Sequence, residues 1–133
     1  MFKVTKEIHF CYGHRLMNYD GACRHPHGHN GRAEFEMSAE GLDHRGMVTD
    51  FTDIKNSMKE WIDAEIDHKM LLRKDDPAVD VFHKMGEPVF VMDQNPTAES
   101  IAKLFFDKAK SLGFPVSRVA VWETETSFAA YSG

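Results

Sequence analysis

The chain has 133 residues, 42% of them hydrophobic and 28% charged, with a formal net charge of -5. That is the length and balance of one soluble globular domain, 1–133, able to bury a core. An acidic chain lacks the basic footprint of a nucleic-acid binder, and no apolar run or signal core points to a membrane, so no nucleic acid and no membrane are expected as partners, and the location is read as cytoplasmic with Cys11 and Cys23 as free thiols.

In chain order, Phe2, Val4, Ile8 and Phe10 alternate with Lys3, Thr5 and Glu7, which predicts a first strand. A loop with Tyr12-Gly13-His14 and Asp20-Gly21 follows. From about His27 to Glu40, Arg32, Glu34, Glu36 and Ser38 interleave with Ala33, Phe35, Met37 and Ala39, a half-buried second strand. Residues 41–46 have turn composition, and Met47 to Phe51 is read as a short third strand. The period then changes: Ile54, Met58, Trp61, Ile62 and Ile66 fall at helical spacing, with Asp50 or Thr52 as cap, and this helix ends near Asp67-His68. Residues 71–77 look like an exit loop, 78–86 like a helical turn, and 88–92 like a short strand. Thr97 caps a second helix whose buried stripe is Ile101, Leu104, Phe105 and Leu112, and which Gly113 and Pro115 end. Val116 to Glu123 is a last long strand, with a short one at 128–131. The order gives an α+β domain: an antiparallel sheet with two helices on one face.

The chemistry gathers in Cys23-Arg24-His25-Pro26-His27-Gly28-His29. Five of the chain's eight histidines lie between His9 and His29. On a strand His27 and His29 point to one face and can share a metal. A catalytic zinc takes three protein ligands and keeps a fourth position open, and His14 is the best third ligand. A rival pattern exists. Gly21, His27-x-His29, Glu34 and Gly41 fit the first metal motif of the cupin family, but Glu34 reaches the histidine face only with a bulge at Gly31, and no second cupin motif follows. Cys11 reads as apolar filler. Cys23, beside Arg24 and His25, is either a reactive thiolate or a fourth ligand closing a structural site. Asp67 beside His68 is either a helix-end dipole partner or a carboxylate-oriented proton-transfer pair. Glu123 is a carboxylate on the otherwise apolar face of Val119 and Val121.

Six ordered motifs, Phe10-x-x-Gly13-His14-Arg15-Leu16, Cys23-x-x-x-His27-Gly28-His29, Asp50-Phe51, Asp67-His68, Asn95-Pro96-Thr97-Ala98-Glu99 and Trp122-Glu123-Thr124, resemble the 6-pyruvoyl-tetrahydropterin synthase family. The spacing before His-Gly-His is most similar to its bacterial 6-carboxy-5,6,7,8-tetrahydropterin synthase branch, of queuosine biosynthesis. The resemblance implies a tunnelling fold: a four-stranded antiparallel sheet with two helices, assembled as an oligomeric barrel into a homohexamer (a dimer of trimers) with sites between subunits. It implies Zn2+ on His14, His27 and His29, proton transfer by Cys23, Asp67 and His68, and a grip on the pterin by Glu123. The implied substrate is a pterin triphosphate, 7,8-dihydroneopterin triphosphate, and the implied product 6-carboxytetrahydropterin, with triphosphate and acetaldehyde released. The alternatives are a 6-pyruvoyl product or a non-catalytic zinc- or pterin-binding subunit. Arg15, Arg24, His25 and Lys69 are candidate phosphate contacts. The chain departs from the family pattern at Gly13, at His25-Pro26 and in the long segment 73–93.

Overall fold

The longest ladder joins β1 (Phe2–His14) to β2 (His27–Ala39), antiparallel from Phe2 opposite Ala39 to His14 opposite His27. The computed structural model describes residues 1–133. Alternation fixes this register: Ile8, Phe10, Tyr12, Ala33, Phe35 and Met37 are buried on one face, and a one-residue slip would turn every one of them to water. β5 (Val116–Thr124) pairs antiparallel with β2, and β6 (Ser127–Tyr131) with β5. On the other side, β3 (Lys69–Arg73) runs parallel to β1, and β4 (Val89–Met92) parallel to β3. The sheet order is β4-β3-β1-β2-β5-β6.

The helices cover the apolar face. α1 (Phe51–Ile54) passes through a π turn, Lys55–Lys59, into α2 (Glu60–Glu65), and Asp50 caps the start by accepting the Thr52 N–H. α3 (Ala78–Lys84) is short and buries no residue completely. α4 (Ala98–Ser111) starts at Thr97, whose hydroxyl accepts the Ser100 N–H at 3.1 Å. Ile54, Met58, Ile62 and Ile66 from the first helical stretch meet Ile101, Phe105 and Ala109 from α4 over the sheet. Phe105 sits at the centre, edge-on to Phe10 and stacked over Phe35. No helix is long and apolar enough to cross a membrane.

The α+β class holds, with five differences from the sequence reading. β1 runs on through Tyr12-Gly13-His14 rather than giving way to a loop there, and Leu112 is 44% exposed rather than part of a buried stripe. The sheet is mixed and six-stranded rather than four-stranded and antiparallel. Met47 to Phe51 is not a strand: residues 47–50 form a capped loop and Phe51 opens α1. Leu71 to Arg73 belong to β3 rather than an exit loop. A short strand between two parallel neighbours buries both faces, here Leu71 and Leu72 together, and so shows no alternation to read.

Candidate active site

His14 ends β1 directly opposite His27, which opens β2, and His29 lies two residues on, on the same inward face. One ring nitrogen from each of the three lies within 4.8 Å of the others. His14 Nδ1 is 2.6 Å from the Pro96 carbonyl oxygen, and His27 Nδ1 is 2.7 Å from that of His25. A carbonyl only accepts, so both rings carry their proton on Nδ1 and donate it there. Their bare Nε2 lone pairs then face each other at 2.9 Å. Two lone pairs at that distance repel unless a cation lies among them. His29 Nε2 is buried with no partner at all. Three imidazoles, two of them oriented by a hydrogen bond at Nδ1, are a donor set that fits a divalent transition metal. Burial, aided by His27 and His29 and opposed by the Pro96 carbonyl, pushes the His14 pKa down to about 4. Burial also lowers that of His29. Both rings are thus held in the neutral form that coordinates.

β2 runs through Gly31 in unbroken register with β1, so no bulge turns Glu34 inward. Glu34 instead accepts the Trp122 indole N–H on the opposite face, and the cupin pattern is an accident of spacing. Glu123 does reach the histidines. The register of β5 against β6 shifts between Trp122 and Thr124, and Glu123 Oε1 lies 3.9 Å from His14 Nε2. Tyr12, opposite His29 and edge-on to His14, is a neighbour that sequence reasoning missed. Its hydroxyl is buried and unpartnered, and burial, reinforced by the Glu123 charge, raises its pKa.

Asp67 and His68 form a pair, His68 Nδ1 lying 2.5 Å from Asp67 Oδ2. Both are tied to β1 at one residue: the Cys11 N–H donates to Asp67 Oδ1 at 2.8 Å, and the His68 N–H donates to the Cys11 carbonyl at 2.7 Å. These tethers hold His68 at φ +59°, a left-handed conformation uncommon outside glycine. Partial burial works to raise the Asp67 pKa, but hydrogen bonds from the Cys11 N–H and His68 outweigh it and bring it down. His68 lines a cleft of about 500 Å³ together with His27, His29, Cys11 and Asn30. Cys11 is therefore not core filler. It is half-buried on the polar face, and its thiol donates to Asn30 Oδ1 at 2.9 Å.

Cys23 sits on a single 3-10 turn, Ala22–Arg24, half-buried and outside the three-imidazole group. The chain thus brings together His14, His27, His29 and Glu123, sets Asp67-His68 on the adjoining cleft, and leaves Cys23 apart from the ligands. The Pro96 carbonyl, which orients His14, went unread because a backbone acceptor leaves no mark in a side-chain pattern.

The family model for 6-pyruvoyl tetrahydropterin synthase matches residues 3–133. A protein of Rickettsia typhi named 6-carboxy-5,6,7,8-tetrahydropterin synthase is 37% identical, with 96% of this chain and 98% of that one covered. A protein of the same name from Haemophilus influenzae is 31% identical over 98% and 99% of the two chains. Among solved structures, an uncharacterized protein from Wolinella succinogenes superposes with a TM-score of 0.82 at 29% identity, covering 99% of this chain and 98% of that one. The Caenorhabditis elegans 6-pyruvoyl tetrahydropterin synthase superposes at 0.75 and 24% identity, covering 99% and 95%, a likeness of fold. With a match over nearly its whole length, relatives above 30% identity and three imidazoles converging at the end of the β1–β2 ladder, the chain belongs to the 6-pyruvoyl tetrahydropterin synthase family.

Proposed function

We propose that this protein is a zinc-dependent 6-carboxy-5,6,7,8-tetrahydropterin synthase. It takes 7,8-dihydroneopterin triphosphate and water to 6-carboxytetrahydropterin, triphosphate and acetaldehyde, as a cytoplasmic homohexamer feeding queuosine biosynthesis. The observation that carries the reading is the facing pair of bare Nε2 atoms on His14 and His27, with His29 Nε2 unpartnered beside them. Zinc held there supplies Lewis acidity to the oxygens of the substrate side chain.

The chain's own residues do the rest. Asp67 fixes the His68 ring through Nδ1, leaving Nε2 to accept or return a proton at the side-chain carbons. Cys23 is the thiol of the proton-transfer set and acts where sites form between subunits. Glu123, close to the histidines, accepts two N–H bonds from the aminopyrimidinone edge of the pterin. The names of the bacterial relatives favour the carboxy product, and the family's own name the pyruvoyl one.

Turnover with 7,8-dihydroneopterin triphosphate, read by mass spectrometry, tests the reading. Acetaldehyde and the 6-carboxy product are expected. A 6-pyruvoyl product would move the chain to the other branch, and no triphosphate release would sink both. Cys23→Ala is expected to keep stoichiometric zinc while losing turnover; lost zinc would instead mark a closed structural site.

A further inference from the structure

Arg15 and the Arg24-His25 pair stand near opposite ends of the loop between β1 and β2, yet they line one cavity of about 350 Å³ with Tyr19. Lys69, the fourth cation considered from sequence, is elsewhere: its ammonium is spent on the Ala64 carbonyl at 2.6 Å. The cavity adjoins the imidazoles on both strands. Arg15 follows His14 in the chain, and the His25 carbonyl is the acceptor that orients His27.

The two arginines are prepared differently. Arg15 is held by Asp76 through Nε and Nη2, each at 2.7 Å, and its Nη1 has no hydrogen bond within the chain. Asp76 is fully buried, so its charge is committed to Arg15 and to the Ala78 N–H. The pair fixes one guanidinium edge and leaves Nη1 free on a residue that lines the cavity. Arg24 is exposed. Its only partners are the His25 ring at 3.3 Å and the Asp20 carbonyl at 3.5 Å, both long and neither a carboxylate. In a chain of net charge -5, an arginine without an acidic partner beside a second arginine edge is a local reversal of sign. Guanidinium groups match phosphate oxygens in geometry as well as charge.

We infer that this cavity is the polyphosphate subsite, in which Arg24 and the free edge of Arg15 bind the linear triphosphate of the substrate. The inference rests on the proposed function for the identity of the ligand, and it divides the site into two ends. Glu123 takes the neutral, N–H-rich pterin, while Arg24 and Arg15 take the anionic tail, with the imidazoles between. Segment 73–93 then has a part in recognition, since it carries Asp76, the residue that sets Arg15.

Inorganic tripolyphosphate is the probe, titrated calorimetrically into the intact protein at low and moderate salt. The wild-type protein is expected to bind it, more weakly as salt rises. Arg24→Ala is expected to weaken binding about tenfold or more, and Arg24→Glu further, because charge-assisted contacts are lost at an exposed position that folding does not need. Lys110→Ala, which removes an exposed cation on α4, controls for net charge. In turnover, Arg24→Ala should raise KM for the triphosphate substrate with kcat little changed, and leave binding of unphosphorylated dihydroneopterin alone. Absence of tripolyphosphate binding, or binding that Arg24→Ala and Lys110→Ala weaken equally, overturns the subsite. Binding that depends on Arg24 in a protein that does not turn over dihydroneopterin triphosphate upholds the subsite and overturns the enzymatic reading.

Discussion

Asn95 and Met17 are bonded to each other twice: the Met17 N–H donates to Asn95 Oδ1 at 2.9 Å, and Asn95 Nδ2 donates to the Met17 carbonyl at 2.7 Å. A side-chain amide here imitates a neighbouring strand. Met17 lies three residues beyond His14, and Asn95 precedes Pro96, whose carbonyl holds His14 Nδ1. The amide therefore closes a small ring around the most buried imidazole. Asn95→Ala is expected to weaken metal binding at the three histidines, because it loosens the segment whose Pro96 carbonyl orients His14. It should also cost about 1–2 kcal/mol of stability through the two lost hydrogen bonds. Competition against a chromophoric chelator reads the first, and the spectrum of the cobalt-substituted protein reads the ligand geometry. A lower melting temperature with unchanged affinity and spectrum would mean that Asn95 only holds the loop.

The buried His14 makes the metal-free protein sensitive to mild acid. Its folded pKa of about 4 lies below the ordinary 6.5, so between those values the unfolded chain binds the proton more readily. The contribution is complete above about pH 6.5 and is lost as pH falls toward 4. A shift of that size is worth roughly 3 kcal/mol. Urea midpoints of the chelator-treated protein at pH 7, 5.5 and 4.5 should fall steadily, and His14→Asn should flatten that slope. An equal slope in the variant would place the sensitivity elsewhere.

Arg15 and Asp76 should respond unequally to substitution. Arg15 keeps about a quarter of its side chain in water, whereas the Asp76 side chain is 0% exposed. Arg15→Met strands a buried carboxylate, which costs about 3–5 kcal/mol. Asp76→Asn keeps an acceptor for the Ala78 N–H and leaves a guanidinium that can rehydrate, at about 1–3 kcal/mol. Denaturant unfolding of the two variants gives the order, and the reverse order would show that the pair is wetter than its burial indicates.

The parts of the molecule that announce themselves in sequence are those with a clean period. β1, β2 and β5 each bury one face, so their alternation could be read, and Thr97 with Gly113 marked both ends of α4. β3 could not be read: it is five residues long and paired in parallel on both sides. Met47 and Val48 misled in the opposite sense, being apolar residues in a loop organised by Asp43, whose carboxylate accepts the Arg45 and Met47 N–H groups. At the site the same division holds. The His27-x-His29 pair was legible because a strand forces the two to one face, and His14 because the first strand pairs beside it. Tyr12, Asn95 and Asp76 were not legible, because each acts through a contact 61 or more residues away that no local pattern encodes.

Both edges of the six-stranded sheet are unpaired in the single chain: β4, with Val91 44% exposed, and β6, with Phe128 48% exposed. An open edge is a template for another strand, and closing a ring of chains removes both edges at once. A second feature points the same way. Phe2, Leu42, Met47 and Phe51, all substantially exposed, surround one groove of about 290 Å³ at the far end of the sheet from the histidines. Leaving four large apolar side chains together in water is unfavourable by about 25 cal/mol for each Å² that contact would cover. Light scattering at micromolar concentration is expected to give a multiple of 15.2 kDa, six chains by the family resemblance. Specific activity should fall on dilution as chains separate. A particle of 15.2 kDa with full turnover would show that one chain holds the complete site and that the open edges stay unpaired.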